Sequence, residues 1–166
     1  MAPRIGAFRA ATRSASGFAI ALTVAGIIAG LLLVIAEFST IASVDVASGS
    51  CEVINDSDPA LADRCSLSGF ERHGGAFLIL GPMTAAMAWG AGIGGSRPAG
   101  AALMAIGALV IVLSLSLDLP QTHKTGAIGR NFEGASAEAG VGFYLELLGG
   151  AIASAAGAVR LTRRDE

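Results

Sequence analysis

Residues 17–41, GFAIALTVAGIIAGLLLVIAEFSTI, form an apolar run in which the only charged residue, Glu37, comes near the end. At 1.5 Å per residue, a helix of this length exceeds the roughly 30 Å hydrocarbon core of a bilayer. Three further windows, 75–95, 99–117 and 139–159, are also long and apolar. We predict a transmembrane helix from each of the four windows.

The composition also indicates a membrane protein. Apolar residues make up 53% of the 166 residues and charged residues only 14%, which is too apolar for an ordinary soluble domain. The 23 glycines disfavour long soluble helices, but membrane helices tolerate glycine and use it at close contacts. The sequence therefore predicts an all-α integral membrane protein, a four transmembrane helix bundle forming one domain over residues 1–166.

The first window has an alternative interpretation as a cleaved secretory signal. Three arginines, Arg4, Arg9 and Arg13, precede it and would form the basic region of such a signal. The uncharged core is longer than a typical signal core, which favours a retained helix. Arginine also far outnumbers lysine, which occurs once, a bias typical of GC-rich bacterial genomes.

The distribution of basic residues predicts the orientation in the membrane. With both termini cytoplasmic, the inner segments hold seven basic residues and the outer segments four, which satisfies the positive-inside rule. We therefore predict a multi-pass protein of the plasma membrane with cytoplasmic N- and C-termini. A short inner loop, 96–98, then joins the middle helices, and two structured outer loops cover residues 42–74 and 118–138.

The two cysteines, Cys51 and Cys65, fall in the first outer loop. An even number of cysteines on the oxidising side of a membrane predicts a disulfide. Closing a loop of about 15 residues stabilises it by about 3 kcal/mol in the chain-entropy model. The alternative, a redox-active pair, is disfavoured because the chain has no CxxC motif.

A carboxylate inside the fourth window is the main candidate for function. Glu146 lies seven residues into that window, about 10 Å below the outer boundary. An ionised carboxylate facing lipid costs about 3 kcal/mol, so Glu146 should face the interior or a wet cavity. Glu37 in the first window and Thr84 in the second also approach the outer side. We take Glu146, Glu37 and Thr84 as a candidate intramembrane polar site.

Two interpretations of Glu146 stay open. In the first it is structural and forms a hydrogen bond with Thr84 or the backbone. In the second it binds a proton or another cation, the usual role of an intramembrane acid. The sequence shows no basic or histidine partner at the depth of Glu146, which favours the structural role.

No motif indicates a catalytic, cofactor-binding or metal site. The histidines, His73 and His123, fall on the outer side, and Glu71 is close to His73. A metal site could be assembled from these residues and the loop acids, but their spacing matches no known ligand pattern. We therefore expect neither a cofactor nor a metal.

The order of features resembles that of claudins and related tetraspan proteins. In both, four predicted helices are joined in order by a long first outer loop with one disulfide, a short inner turn and a shorter second outer loop. The tryptophan and Gly-Leu-Trp motif that precedes the first cysteine in claudins is missing here. The resemblance is one of topology, so it assigns no family and transfers no site residue.

The leading functional prediction is a non-enzymatic accessory or assembly protein. Its acidic outer loops, the first closed by the disulfide, would bind a protein partner, or the chain would form a homo-oligomer through its helix faces and outer loops. Contact with membrane lipid is expected, and nucleic acid is not. The alternative is a small proton- or cation-coupled transporter that uses Glu146.

Overall fold

The computed structural model describes residues 17–47, 65–131 and 133–163, and Cys51 lies outside these ranges. Most of the described chain is helical, with a small antiparallel sheet. Within these ranges there are four long helices and two short ones: α1 Gly17–Phe38, α2 Gly69–His73, α3 Ala76–Ala91, α4 Arg97–Leu113, α5 Gly126–Asn131 and α6 Val141–Thr162. A π-helical turn, Ser114–Asp118, extends α4, and a 3-10 turn, Gln121–His123, follows it.

Three helical segments among the described residues are long and apolar enough to cross a membrane. They are α1, the segment that begins with α4 at Arg97, and α6. α3 is also apolar but has 16 residues and a length of about 24 Å. Three of the four predicted spans therefore have the expected length and composition, whereas the second is shorter than the predicted window of 75–95.

A three-stranded sheet forms where the sequence predicted loops, so the all-α prediction misses part of the fold. Its strands are β1 Thr40–Asp45, β2 Ser66–Ser68 and β3 Ser136–Ala139. The order is β2-β1-β3, and both pairings are antiparallel. β1 was not predicted because its apolar residues continue the apolar run that precedes it. The helix α1 ends at Phe38, whereas the predicted window extended to residue 41.

The sheet connects directly to three helices. A single residue, Ser39, separates α1 from β1, and a single residue, Gly140, separates β3 from α6. β2 continues into α2 without a gap. Backbone bonds reinforce these junctions, since the N–H of Gly140 donates to the Ile41 carbonyl at 2.7 Å and that of Gly69 to Ser39 at 3.0 Å. We call this end of the molecule the sheet end.

Glycines bring the long helices into backbone contact. A Cβ added to Gly107 of α4 would lie 2.5 Å from the carbonyl oxygen of Gly150, and one added to Gly157 of α6 would lie 2.6 Å from that of Gly100. α1 and α3 meet similarly at Gly30 and Gly81. The predicted role of small residues at helix contacts is therefore confirmed.

The opposite end, which we call the hairpin end, holds the turn between α3 and α4. Ser96 caps α4, because its hydroxyl accepts a hydrogen bond from Ala99 N at 3.3 Å. The side chain of Arg97 donates to the Leu161 carbonyl at 3.2 Å, and that of buried Arg160 donates to the Gly95 carbonyl. The guanidinium of Arg163 lies 3.9 Å from the centre of the Phe18 ring. Arginines thus hold the hairpin end together.

Candidate functional site

Three ionisable residues from three separate elements meet at the sheet end. His73 is the last residue of α2, Asp118 the last residue of the π-helical turn, and Glu146 belongs to α6. One ligand atom from each lies within 4.8 Å of the others. Both carboxylates are fully buried, and the imidazole is 7% exposed. We call these three residues the His73 cluster.

α2 is a short helix fixed at both ends, which places His73. At its start, the Glu71 N–H donates to the Ser68 hydroxyl at 3.3 Å and the Ser68 N–H donates to the Glu71 carboxylate at 2.8 Å. The hydrogen bonds that the Ser68 N–H and hydroxyl donate to the Glu71 carboxylate lower the pKa of Glu71. At its end, Gly74 and Gly75 adopt φ values of 61° and 88°, which glycine tolerates best, and the chain turns into α3. Glu71 is therefore a capping residue.

The π-helical turn places Asp118 and Ser114. The N–H of Leu119 donates to the Ser114 carbonyl at 2.8 Å, a bond that spans five residues instead of four. Both Ser114 and Asp118 are fully buried. The wide turn therefore presents two polar side chains to the interior where α4 meets α6 and α2.

The cluster is ordered so that one oxygen of each carboxylate faces the imidazole. Glu146 Oε1 lies 3.1 Å from His73 Nε2, and its Oε2 accepts a hydrogen bond from the Ser114 hydroxyl at 3.0 Å. Asp118 Oδ1 accepts a hydrogen bond from Arg72 Nε at 3.0 Å. Asp118 Oδ2 lies 3.6 Å from His73 Nε2 and has no hydrogen-bond partner within the described ranges.

The charges around His73 favour its protonated form. Burial lowers the pKa of the imidazole, but the hydrogen bond to Glu146 and the negative charges of Glu146, Asp118 and Glu37 raise it by more. The net result is a pKa above the usual value for histidine. The surroundings of His73 are therefore electronegative and attract a cation.

Arg72 is the most exposed of the charged side chains that contact the cluster. Its side chain is 27% exposed, against 7% for His73 and none for Asp118. A second bond from Arg72, to the Leu117 carbonyl at 2.9 Å, holds it over the π-helical turn. Exposure thus rises from the carboxylates toward Arg72.

Of the three residues predicted as an intramembrane polar site, only Glu146 belongs to the His73 cluster. The Thr84 hydroxyl donates to the Leu80 carbonyl of its own helix at 2.7 Å, so the predicted hydrogen bond between Thr84 and Glu146 is wrong. Glu37 is buried and accepts hydrogen bonds from the N–H groups of Gly75 at 2.6 Å and Phe77 at 3.3 Å. It neutralises the N-terminus of α3, whose dipole favours a negative charge.

The sequence analysis missed His73 and Asp118 as partners of Glu146. The expectation that Glu146 has no histidine at its depth is wrong, because α2 brings His73 back to it. A signal was present, since both residues lie at the very edge of an apolar window and Glu146 lies near the same end of its own. His123, the other histidine, is exposed and outside the cluster.

Cys65 is buried at the sheet end. It packs in a small apolar core with Val44, Val46 and Ile128. Burial raises the pKa of its thiol, and the negative charge of Asp45 raises it further. Because Cys51 lies outside the described residues, the structure does not support the predicted Cys51–Cys65 disulfide, which stays a prediction.

The His73 cluster has the chemistry of a cation site. An imidazole nitrogen and two carboxylate oxygens are ligands that can hold a metal ion or share a proton. Arg72 and Ser114 are donors and orient the carboxylates. The chain matches no protein-family model, no curated protein and no solved structure, so the geometry of this cluster is the basis for the function proposed below.

Proposed function

We propose that this protein is a small carrier of the plasma membrane, coupled to a proton or another cation that binds in the His73 cluster. The observation that carries the proposal is the convergence of Glu146 Oε1 and Asp118 Oδ2 on His73 Nε2. Buried ionisable groups are costly at membrane depth, and where they occur they commonly line ion pathways.

This proposal reverses the order of the two functional predictions. The structural interpretation of Glu146 was favoured because the carboxylate seemed to have no partner, and the contacts with His73 and Ser114 remove that reason. The alternative, an accessory protein that binds a partner or a second copy through its outer loops, stays a prediction. No described surface indicates what such a partner would be.

The proposal includes four membrane spans. α3 is the shortest of the four, but bilayers thin around short helices and flanking residues extend toward the interface. The arginines of the hairpin end, Arg97, Arg160 and Arg163, support a cytoplasmic location for that end under the positive-inside rule. The sheet end and the His73 cluster would then lie on the outer side.

Cation flux into proteoliposomes tests the proposal directly. The parent protein should move protons or a metal ion down an imposed gradient, and Glu146→Gln should abolish this flux because the amide carries no charge. The control is Glu138→Gln, an exposed glutamate of β3 outside the cluster, which should leave flux unchanged. A parent protein that moves neither protons nor metal cations would overturn the carrier function.

A further inference from the structure

We propose that the cation held by the His73 cluster is a divalent transition metal ion of the zinc class, bound by His73 Nε2, Asp118 Oδ2 and Glu146 Oε1. This inference rests on the proposed function, since it names the ion for the same site. It differs from that function in being testable by binding alone.

The separations of the three atoms suit a common metal ion. Zinc binds nitrogen and oxygen ligands at about 2.0–2.2 Å in tetrahedral sites, so its ligands lie about 3.3 Å from one another. His73 Nε2 lies 3.1 Å from Glu146 Oε1 and 3.6 Å from Asp118 Oδ2. Both distances to His73 Nε2 thus suit one ion, and the ligand atoms of the three residues all lie within 4.8 Å of one another.

Asp118 Oδ2 provides an independent indication of a ligand. The aspartate is fully buried, yet this oxygen accepts no hydrogen bond from the part of the chain that the structure describes. Leaving a buried carboxylate oxygen unpaired is costly, so such atoms usually have a partner. A metal ion between this oxygen and His73 would supply that partner.

Hydrogen-bond donors hold the carboxylates of the cluster, as they commonly do at metal sites. Each carboxylate binds a donor through its other oxygen, Ser114 in the case of Glu146 and Arg72 in the case of Asp118. Such donors orient the ligand atoms and are as characteristic of metal sites as the ligands themselves. A neutral His73 with both carboxylates would balance the two charges of the ion.

The ligand set selects among ions. Calcium takes six to eight oxygen ligands and magnesium a near-octahedral set of oxygens, whereas this cluster offers one nitrogen and two carboxylates. Imidazole favours zinc and neighbouring transition metals. Three protein ligands leave one coordination position open, as in sites where water or another ligand exchanges. An ion held in this way can also be released, which a carrier requires.

Metal binding in detergent tests the inference without reference to transport. Purified protein is treated with a chelator and then titrated with Zn²⁺ by calorimetry and with Co²⁺ by visible absorption, which reports tetrahedral coordination. We expect one ion per chain, weakened about tenfold or more by His73→Ala and by Asp118→Asn. The matched control, His123→Ala, removes an exposed histidine outside the cluster and should bind like the parent.

A second measurement, the melting temperature, distinguishes loss of metal binding from poor folding of a variant. Zn²⁺ should raise the melting temperature of the parent and of His123→Ala, because a ligand stabilises the state that binds it, and Ca²⁺ or Mg²⁺ should not. Absence of binding to the parent, or binding that His73→Ala retains, overturns the inference. Proton flux without metal binding defeats the metal site alone, whereas metal binding without flux defeats the carrier alone.

Discussion

Nε2 of His73 lies 3.1 Å from Oε1 of Glu146, although 73 positions separate the two residues in the chain. The contact joins the short helix α2 to the transmembrane candidate α6. Between α2 and α3 the chain turns at Gly74 and Gly75, which both adopt the left-handed conformation. A carboxylate that looks isolated in the sequence is therefore part of a buried polar network.

Replacing Glu146 should separate the effect of its shape from that of its hydrogen bonds. Glu146→Gln keeps an acceptor for Ser114 and should be nearly as stable as the parent, measured as a thermal melt in detergent. Glu146→Leu leaves His73 and Ser114 unpaired and should lose about 1 kcal/mol, the scale of polar contacts between membrane helices. A leucine variant as stable as the parent would contradict the hydrogen bonds described here.

Replacing Glu37 should destabilise the start of α3. Glu37→Leu removes the acceptor of the Gly75 and Phe77 N–H groups and should cost about 1–3 kcal/mol. The Phe77 amide should then exchange its hydrogen faster than in the parent. Glu138→Leu, at an exposed position, serves as the control and should change stability by less than about 0.5 kcal/mol. Unchanged exchange at Phe77 would rule out the capping role.

Adding a methyl group at Gly107 should disrupt the contact between α4 and α6. The new Cβ of Gly107→Ala would lie 2.5 Å from the backbone oxygen of Gly150, so one helix must move. We expect a loss of about 1–3 kcal/mol in a detergent melt. Gly17→Ala is the matched control, because in the described part of the chain no atom outside its own helix backbone and chain neighbours lies within 4 Å of the added Cβ. Equal stability of the two variants would argue against close backbone packing.

Single cysteines should report opposite sides of the membrane. In a background lacking Cys51 and Cys65, a cysteine at Ser96 should react with an impermeant reagent only from the cytoplasm. A cysteine at Glu138 should react only from outside, since the hairpin end and the sheet end lie at opposite ends of the long helices. Labelling of both positions from one side would contradict the four-span arrangement.

The predicted disulfide can be tested by mass spectrometry of non-reduced peptides. Protein from an oxidising compartment should yield a peptide in which Cys51 and Cys65 are joined. If the thiols are reduced, Cys65 should react slowly with alkylating reagents, because it is buried and its thiol pKa is raised. Rapid alkylation of both cysteines in native membranes would count against the disulfide.

The long helices could be predicted because their length and apolarity are properties of continuous sequence. The windows 17–41 and 139–159 correspond to α1 and α6 within a few residues at each end. The sheet could not be predicted in this way, since the pairing of β1 with β2 and β3 joins distant segments. β1 also begins inside the first apolar window, so composition gave no boundary.

Of the three residues in the His73 cluster, only Glu146 could be predicted from the sequence. Glu146 attracted attention because burying a carboxylate is costly, a property of the residue and its neighbours. The identity of its partners depends on the rotation of each helix and on how the outer segments fold back. Thr84 seemed suitable by depth, but its hydroxyl bonds within its own helix, whereas His73 and Asp118 seemed solvated and are buried.

The direct joins between strands and helices have a mechanical consequence. Separating the sheet ends of α1 and α6 would require breaking the pairing of β1 with β3, in which Ala42 faces Ala139. Within the described ranges no strand adjoins α4, which is followed by the π-helical turn instead. A hinge at this turn would disturb no strand pairing and would carry Asp118 away from Glu146. Such a movement would instead break the hydrogen bonds that join the turn to Arg72 and Glu146, so these side-chain contacts, and not strand pairing, hold Asp118 in the cluster.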